Sequence, residues 1–242
     1  MKLFFVGLIS LLLLTSLASA ATLQVGPTSN YKTIQSAVND SRDGDTILVA
    51  NGSYTERVNI GKSLTILGAK SGTTYTYPRV YGFSVNDEAG TCYINGFKFT
   101  RYGVSMHYGG SGSTIRNNYF TNCGIGVAGI PASDQIIMNN QITNGTVDFY
   151  DTQNNTITGC TFTKCNPGVY LSGFGSANIK KNKFSYCKLG VHVMDDGAAN
   201  ITSNTFSYCD VGIHVDEYGN AYMNYNTYIG NKVKIIVDPK PV

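Results

Sequence analysis

The stretch Ile179-Lys180-Lys181-Asn182-Lys183-Phe184-Ser185-Tyr186-Cys187-Lys188-Leu189-Gly190-Val191-His192-Val193 decides the fold. Its apolar residues fall at strand spacings, Ile179 and Phe184 and then Val191-x-Val193, while Asn and Gly supply turns. No run of i, i+3, i+4 apolar positions is long enough for a helix. Twenty-two residues later the stretch returns as Ile201, Asn204, Phe206, Cys209, Gly212-Ile213, His214 and Val215.

Working outward, the same start recurs at Ile115, Ile137, Ile157, Ile179, Ile201 and Met223, in steps of 22, 20, 22, 22 and 22 residues. Five positions on stand Phe120, Ile142, Phe162, Phe184, Phe206 and Tyr228. Eight positions on stand Cys123, Gly145, Cys165, Cys187, Cys209 and Asn231. Eleven positions on stand Gly126, Asp148, Gly168, Gly190, Gly212 and Lys234, each followed by a β-branched or aromatic residue. A shorter copy begins at Ile94, with Phe99 and Gly103-Val104. Two-helix repeats need helical periodicity and propeller blades need ~40 residues. Coils of this length with three short strands make an all-β, single-stranded right-handed parallel β-helix, its coils stacked ~4.8 Å apart.

Stacking turns each repeated position into a ladder. The Phe line fills the core. Asn118, Asn140, Asn182, Asn204 and Asn226, with Cys160 in the odd coil, can hydrogen-bond along the axis and are expected to tolerate left-handed backbone at a bend. The Gly line is expected at a second bend with positive φ. Four of the six cysteines share one ladder, which predicts a buried column of mostly free thiols. Parallel Cβ vectors on adjacent coils suit a disulfide poorly. Cys160-x4-Cys165 remains a candidate local pair.

The ends differ from the middle. Lys2, an apolar run from Leu3 to Leu14 and Ala18-Ser19-Ala20 have the order of a secretory signal peptide over residues 1–20. The expected domain is then 21–242, with a cap and first coils in 21–68 and regular repeats over 90–242. Thr33-Ile34-Gln35-Ser36-Ala37-Val38 puts Ile34, Ala37 and Val38 on one face of a short capping helix. Lys232, Lys234, Pro239 and Pro241 are residues that blunt an exposed strand edge. Loss of Lys2 leaves 17 basic against 15 acidic residues, a formal +2. So weak a charge gives no pull toward nucleic acid or anionic membranes, and no second stretch could span a bilayer. The expected location is secreted or on the cell surface.

Tyr31-Lys32-Thr33-Ile34-Gln35-Ser36-Ala37-Val38, Asp43-Gly44-Asp45-Thr46-Ile47, Gly52-Ser53-Tyr54 and Lys62-Ser63-Leu64-Thr65-Ile66-Leu67-Gly68 together resemble the opening segment of pectin-lyase-like β-helices. The chain is most similar to their NosD-like, carbohydrate-binding and sugar-hydrolase group, whose parallel β-helix repeats resemble the later coils. The resemblance implies the fold. It implies no single activity, because the superfamily holds esterases, lyases, hydrolases, epimerases and non-enzymes. The motifs of its enzymes are not matched as sets. There is no Gln-Asp pair, no Arg after Arg116 and no Asp-Pro-His-Asp, and Asp195-Asp196 stands alone.

What remains is an outward strip. The residue after each inward Val or its equivalent should face solvent. That gives Ser105, Ala128, Tyr150, Tyr170, His192 and His214, with Asp151, Asp195, Asp196, Asp216, Glu217 and Tyr218 just beyond. Tyr150, Tyr170, His192, His214 and Tyr218 are the candidate ligand-binding residues, since ring faces beside acids suit sugars. Asp195, Asp196, Asp216 and Glu217 are the candidate catalytic carboxylates, because carboxylates on adjacent coils can approach the ~5–5.5 Å of a retaining glycosidase pair. His192, His214, Asp195 and Asp216 are candidate metal ligands. The carboxylates could gather calcium, and the NosD resemblance brings copper or zinc to the histidine pair.

An ordinary solvated face is the plain alternative. Three roles stay open: a structural, adhesive or glycan-binding β-helix that needs no cofactor, a polysaccharide-active enzyme, and a metal-handling protein. The expected partner is a polysaccharide or cell-surface glycan. Lateral packing of copies into an oligomer is also open.

Overall fold

The computed structural model describes residues 19–69, 78–130 and 132–240. The segment read as a signal peptide lies outside them up to residue 18. Among the described residues no helix is long and apolar enough to cross a membrane.

The chain winds into a parallel β-solenoid with three faces. The first face is a ten-stranded sheet running from Thr22–Val25, through Thr114–Arg116, Ile136–Met138 and Ser176–Lys180, to Asn220–Asn224. A fifteen-stranded sheet forms the other two. Its halves part at the ten-residue strand Lys98–His107. The second face then carries Tyr119–Thr121 and its successors to Thr227–Ile229. The third carries Ile125–Ala128, Val147–Tyr150, Val169–Ser172, Leu189–Val193, Val211–Val215 and Val233–Val237. Neighbouring strands pair in parallel, Ile179 on Ile201 and Val191 on Ile213.

The start is sealed by the helix Ile34–Asp40, which buries Ile34, Ala37 and Val38. Thr33 caps it by accepting from the Ser36 N–H. The Glu56 carboxylate, one coil on, accepts from the N–H of Ile34 at 2.7 Å and of Gln35 at 3.1 Å. Two orphan donors of the first turn are thereby paired with an anion at the positive end of the helix.

The core is built from ladders. Phe162, Phe184 and Phe206 stack with centroids 4.6 and 4.7 Å apart and planes within 9°. Asn118, Asn140, Asn182 and Asn204 of the ladder are buried, and Asn226 is partly so. Asn204 Oδ1 accepts from the backbone N–H of Asn182 at 2.9 Å and from its Nδ2 at 3.1 Å, while Asn182 Nδ2 also donates to the Ile157 carbonyl. Each amide thus pairs backbone groups that the corner would otherwise orphan. Cys160 keeps the backbone half of the pattern, its N–H donating to Asn182 Oδ1 at 2.9 Å.

Three expectations need correction. The ladder asparagines are not left-handed: the residue before each takes positive φ, as in Asn117, Asn139, Gly159, Lys181, Ser203 and Tyr225. The second left-handed corner is the series Asn122, Asn144, Lys164, Tyr186, Tyr208 and Gly230, just ahead of the Cys line. Of the Gly line, Gly126, Gly190 and Gly212 lie inside strands and Gly168 just before one, none with positive φ, whereas Gly103 in the shorter copy takes φ +70°. Gly190 is needed for close approach, because a Cβ there would lie 2.4 Å from the Gly212 carbonyl oxygen and 2.7 Å from the Phe206 ring.

The third correction is one of register. Ile125 and Val147 follow Phe120 and Ile142 by five residues, whereas Val169, Val191 and Ile213 follow Phe162, Phe184 and Phe206 by seven. Yet Val147 pairs with Val169 and Asp148 with Tyr170. The outward column is therefore Ser105, Gly126, Asp148, Tyr170, His192 and His214. Tyr150 and Ala128 belong to the neighbouring column, with Ser172.

All six cysteines are free, and all but Cys123 are buried. The candidate pair Cys160–Cys165 is not bridged. The last coil does form its three strands, with the inward positions Ile235 and Tyr228 less well covered than Ile213 and Phe206.

Candidate functional site

Three rings stand in one column on the outer side of the third face. Valines and their equivalents turn inward at Val169, Val191 and Ile213, so the alternation of a strand turns Tyr170, His192 and His214 outward. The two imidazoles stack 4.9 Å apart with planes 8° from parallel, and Tyr170 leans on His192 at 5.4 Å.

Each ring reaches diagonally to the residue two places further along the next coil. The Tyr170 hydroxyl meets Met194 Sδ. His192 Nε2 lies 3.1 Å from Asp216 Oδ1, and His214 Nε2 lies 3.0 Å from Asp238 Oδ2. His214 Nε2 is also 3.2 Å from Asp216 Oδ1. The site thus gathers two imidazoles, a phenol, a thioether and the carboxylates Asp148, Asp216 and Asp238, half buried on the solenoid wall.

Asp148 closes the column on the N-terminal side of Tyr170. Its Oδ1 is buried without a hydrogen-bond partner, and burial pushes its carboxyl above the usual range. Tyr170 is likewise pushed up, first by burial and then by the carboxylates of Asp148, Asp195 and Asp216.

Of the sequence candidates, Tyr170, His192, His214 and Asp216 come together. Asp195 and Asp196 sit exposed in the turn after Val193, and Glu217 and Tyr218 are exposed in the next turn. Asp195 reaches the site only through its field on Tyr170. Tyr150 is exposed in the adjoining column. His192, His214 and Asp216 are the metal-competent group among the described residues, their ligand atoms within 4.8 Å of one another. Asp195 is outside it.

Sequence reasoning missed Asp148, Met194 and Asp238. The signal for the last was present as a spacing of 24, one coil plus two residues, shared by His192–Asp216 and His214–Asp238. It also missed Tyr186 and Tyr208, exposed at a corner and stacked 5.4 Å apart. A shallow groove of about 430 Å³ runs past Asn178, Asn200 and Tyr222 on the first face. Amides and alanines line it, and none of the gathered acids or imidazoles does.

The sequence model of the right handed beta helix region matches residues 71–199 and 147–238. Among solved structures, an alginate lyase from Paenibacillus sp. str. FPU-7 superposes with a TM-score of 0.60 over 88% of this chain and 99% of that one, at 14% identity. At that identity the likeness is one of fold. No curated protein sequence matches the chain.

Proposed function

We propose, for a chain that belongs to the right-handed β-helix family, an extracytoplasmic protein that binds a polysaccharide along its third face. The observation that carries this reading is the column Asp148, Tyr170, His192 and His214, flanked by Asp216 and Asp238. It offers the outward edges of stacked rings to sugar C–H groups and carboxylates and imidazoles to sugar hydroxyls. Four coils at ~4.8 Å give a strip of roughly 14 Å, long enough for an oligosaccharide. Three carboxylates with no Lys or Arg among the gathered side chains disfavour a polyuronate, whose own charges would be repelled. A neutral glycan fits better. The signal-like leader and the resemblance of the opening segment to secreted β-helices support the location.

A glycan array of neutral and uronic-acid polysaccharides tests this. The expected result is retention of neutral glycans by the protein and loss of retention in Tyr170→Ala. Silence across the array would remove the reading.

A second reading, cleavage of the bound glycan, is favoured by Asp148. A carboxyl pushed up by burial, in a strip that also holds the carboxylate of Asp216, is the environment of a general acid. Release of reducing ends that disappears in Asp148→Asn would support it. Binding without release would leave a lectin-like protein.

A further inference from the structure

We infer that His192, His214 and Asp216, with solvent completing the shell, form a zinc-binding site on the wall of the solenoid. Two observations carry this, and neither depends on glycan binding.

The first is a convergence of ligand atoms. His214 Nε2 lies 3.0 Å from Asp238 Oδ2 and 3.2 Å from Asp216 Oδ1, while Asp216 Oδ1 is also 3.1 Å from His192 Nε2. An imidazole Nε2 carries at most one hydrogen, so it can make one full hydrogen bond and not two. Three ligand atoms, His192 Nε2, His214 Nε2 and an Asp216 carboxylate oxygen, lie within 4.8 Å of one another around a space that a cation would satisfy.

The second is the match of geometry and chemistry. Zn–N and Zn–O bonds of ~2.0–2.2 Å at tetrahedral angles place ligand atoms ~3.3 Å apart. Asp216 Oδ1 lies 3.1 Å from His192 Nε2 and 3.2 Å from His214 Nε2. The imidazoles are parallel, 4.9 Å between centroids, so a small tilt of each ring brings the nitrogens to that spacing. In its Nδ1–H tautomer each ring offers Nε2 as a lone pair. Two nitrogens with a carboxylate suit zinc, whereas calcium prefers an all-oxygen shell. Asp216 and the neighbouring Asp238 balance the +2 charge, and side-chain exposures of 20% and 25% for the imidazoles leave the metal reachable from solvent.

The test is calorimetric titration of Zn²⁺ into the untagged, chelator-treated protein, with Co²⁺ absorbance as a second readout and Ca²⁺ in parallel. The expected result is one Zn²⁺ per chain and an intense tetrahedral Co²⁺ spectrum. His192→Ala and His214→Ala should each weaken binding by more than the ~10–100-fold that loss of an outer partner costs. His107→Ala, which removes the remaining histidine from an exposed position outside the column, should change nothing. Circular dichroism confirms that each variant is folded. Substoichiometric zinc, zinc binding unchanged in both variants, or a preference for Ca²⁺ would overturn the inference.

Discussion

Asp216 Oδ1 lies between two imidazoles on successive coils, 3.1 Å from His192 Nε2 and 3.2 Å from His214 Nε2. One carboxylate thereby ties two rungs of the outward ladder. The contact is on the wall and half exposed, so water screens it. Asp216→Ala is expected to lower unfolding free energy by no more than about 1 kcal/mol, measured by urea titration. The same variant should lose zinc and glycan binding. A large loss of stability would mean that the strip is scaffold.

The asparagine ladder should behave in the opposite way. Asn204 accepts from the N–H and Nδ2 of Asn182 and donates to the Ile179 carbonyl, all buried. Asn204→Ala leaves the Asn182 N–H without a partner. The expected cost is about 2–4 kcal/mol, the sum of lost bonds and stranded polar groups. Asn200→Ala, on the exposed side of the preceding strand, serves as the control and should fall within about 0.5 kcal/mol of the parent.

Asp148 gives the protein a pH signature. Burial raises its carboxyl above the ordinary 3.8, so the folded chain holds this proton more tightly than the unfolded one. Between 3.8 and the raised value the folded state binds more protons, and this residue's contribution to stability falls as pH rises. Asp148→Asn removes that slope. The variant should melt higher than the parent at pH 7, and the gap should close as pH falls toward 4. A gap independent of pH would show that Asp148 is not held in an apolar setting.

The five buried cysteines should be chemically silent. Burial pushes Cys160 up to about 11 and raises Cys92; in the column, hydrogen bonds among the thiols raise Cys187 and lower Cys165 and Cys209, so there it is burial of the sulfur that denies a reagent access. A thiol reagent needs the thiolate and access to it. In the native protein Cys123, the one cysteine that is not fully buried, should react first, and all six should titrate after unfolding. Fast labelling of several thiols in the folded protein would contradict the ladder.

The coil period was legible because every coil must present the same inward residues to the same core. Phe162, Phe184 and Phe206 recur at 22 residues for that reason, and their stacking follows from the period alone. The register of the third face was not legible. Phe120 to Ile125 is five residues and Val127 to Ile137 is ten, whereas Phe162 to Val169 is seven and Leu171 to Ile179 is eight. A short corner and a long one sum to the same coil length, so counting from Ile115 and from Ile157 hides the difference. Inward and outward were still assigned correctly, because two residues is one full strand period. The cost fell on column membership: Tyr150 was placed beside Tyr170, where Asp148 stands. Asp216 was found as a neighbour of the strip, but Asp238 was not, because only the diagonal reach of an imidazole across one coil connects it to His214.

The measurement that bears most directly on the proposed role is titration of the tightest-binding neutral oligosaccharide from the array against the parent, Tyr170→Ala and Tyr186→Ala. The account predicts saturable binding to the parent, loss of at least about tenfold in affinity for Tyr170→Ala, equivalent to ~1.4 kcal/mol, and no change for Tyr186→Ala on the distant corner. Equal affinity in the parent and Tyr170→Ala, or loss confined to Tyr186→Ala, would contradict it.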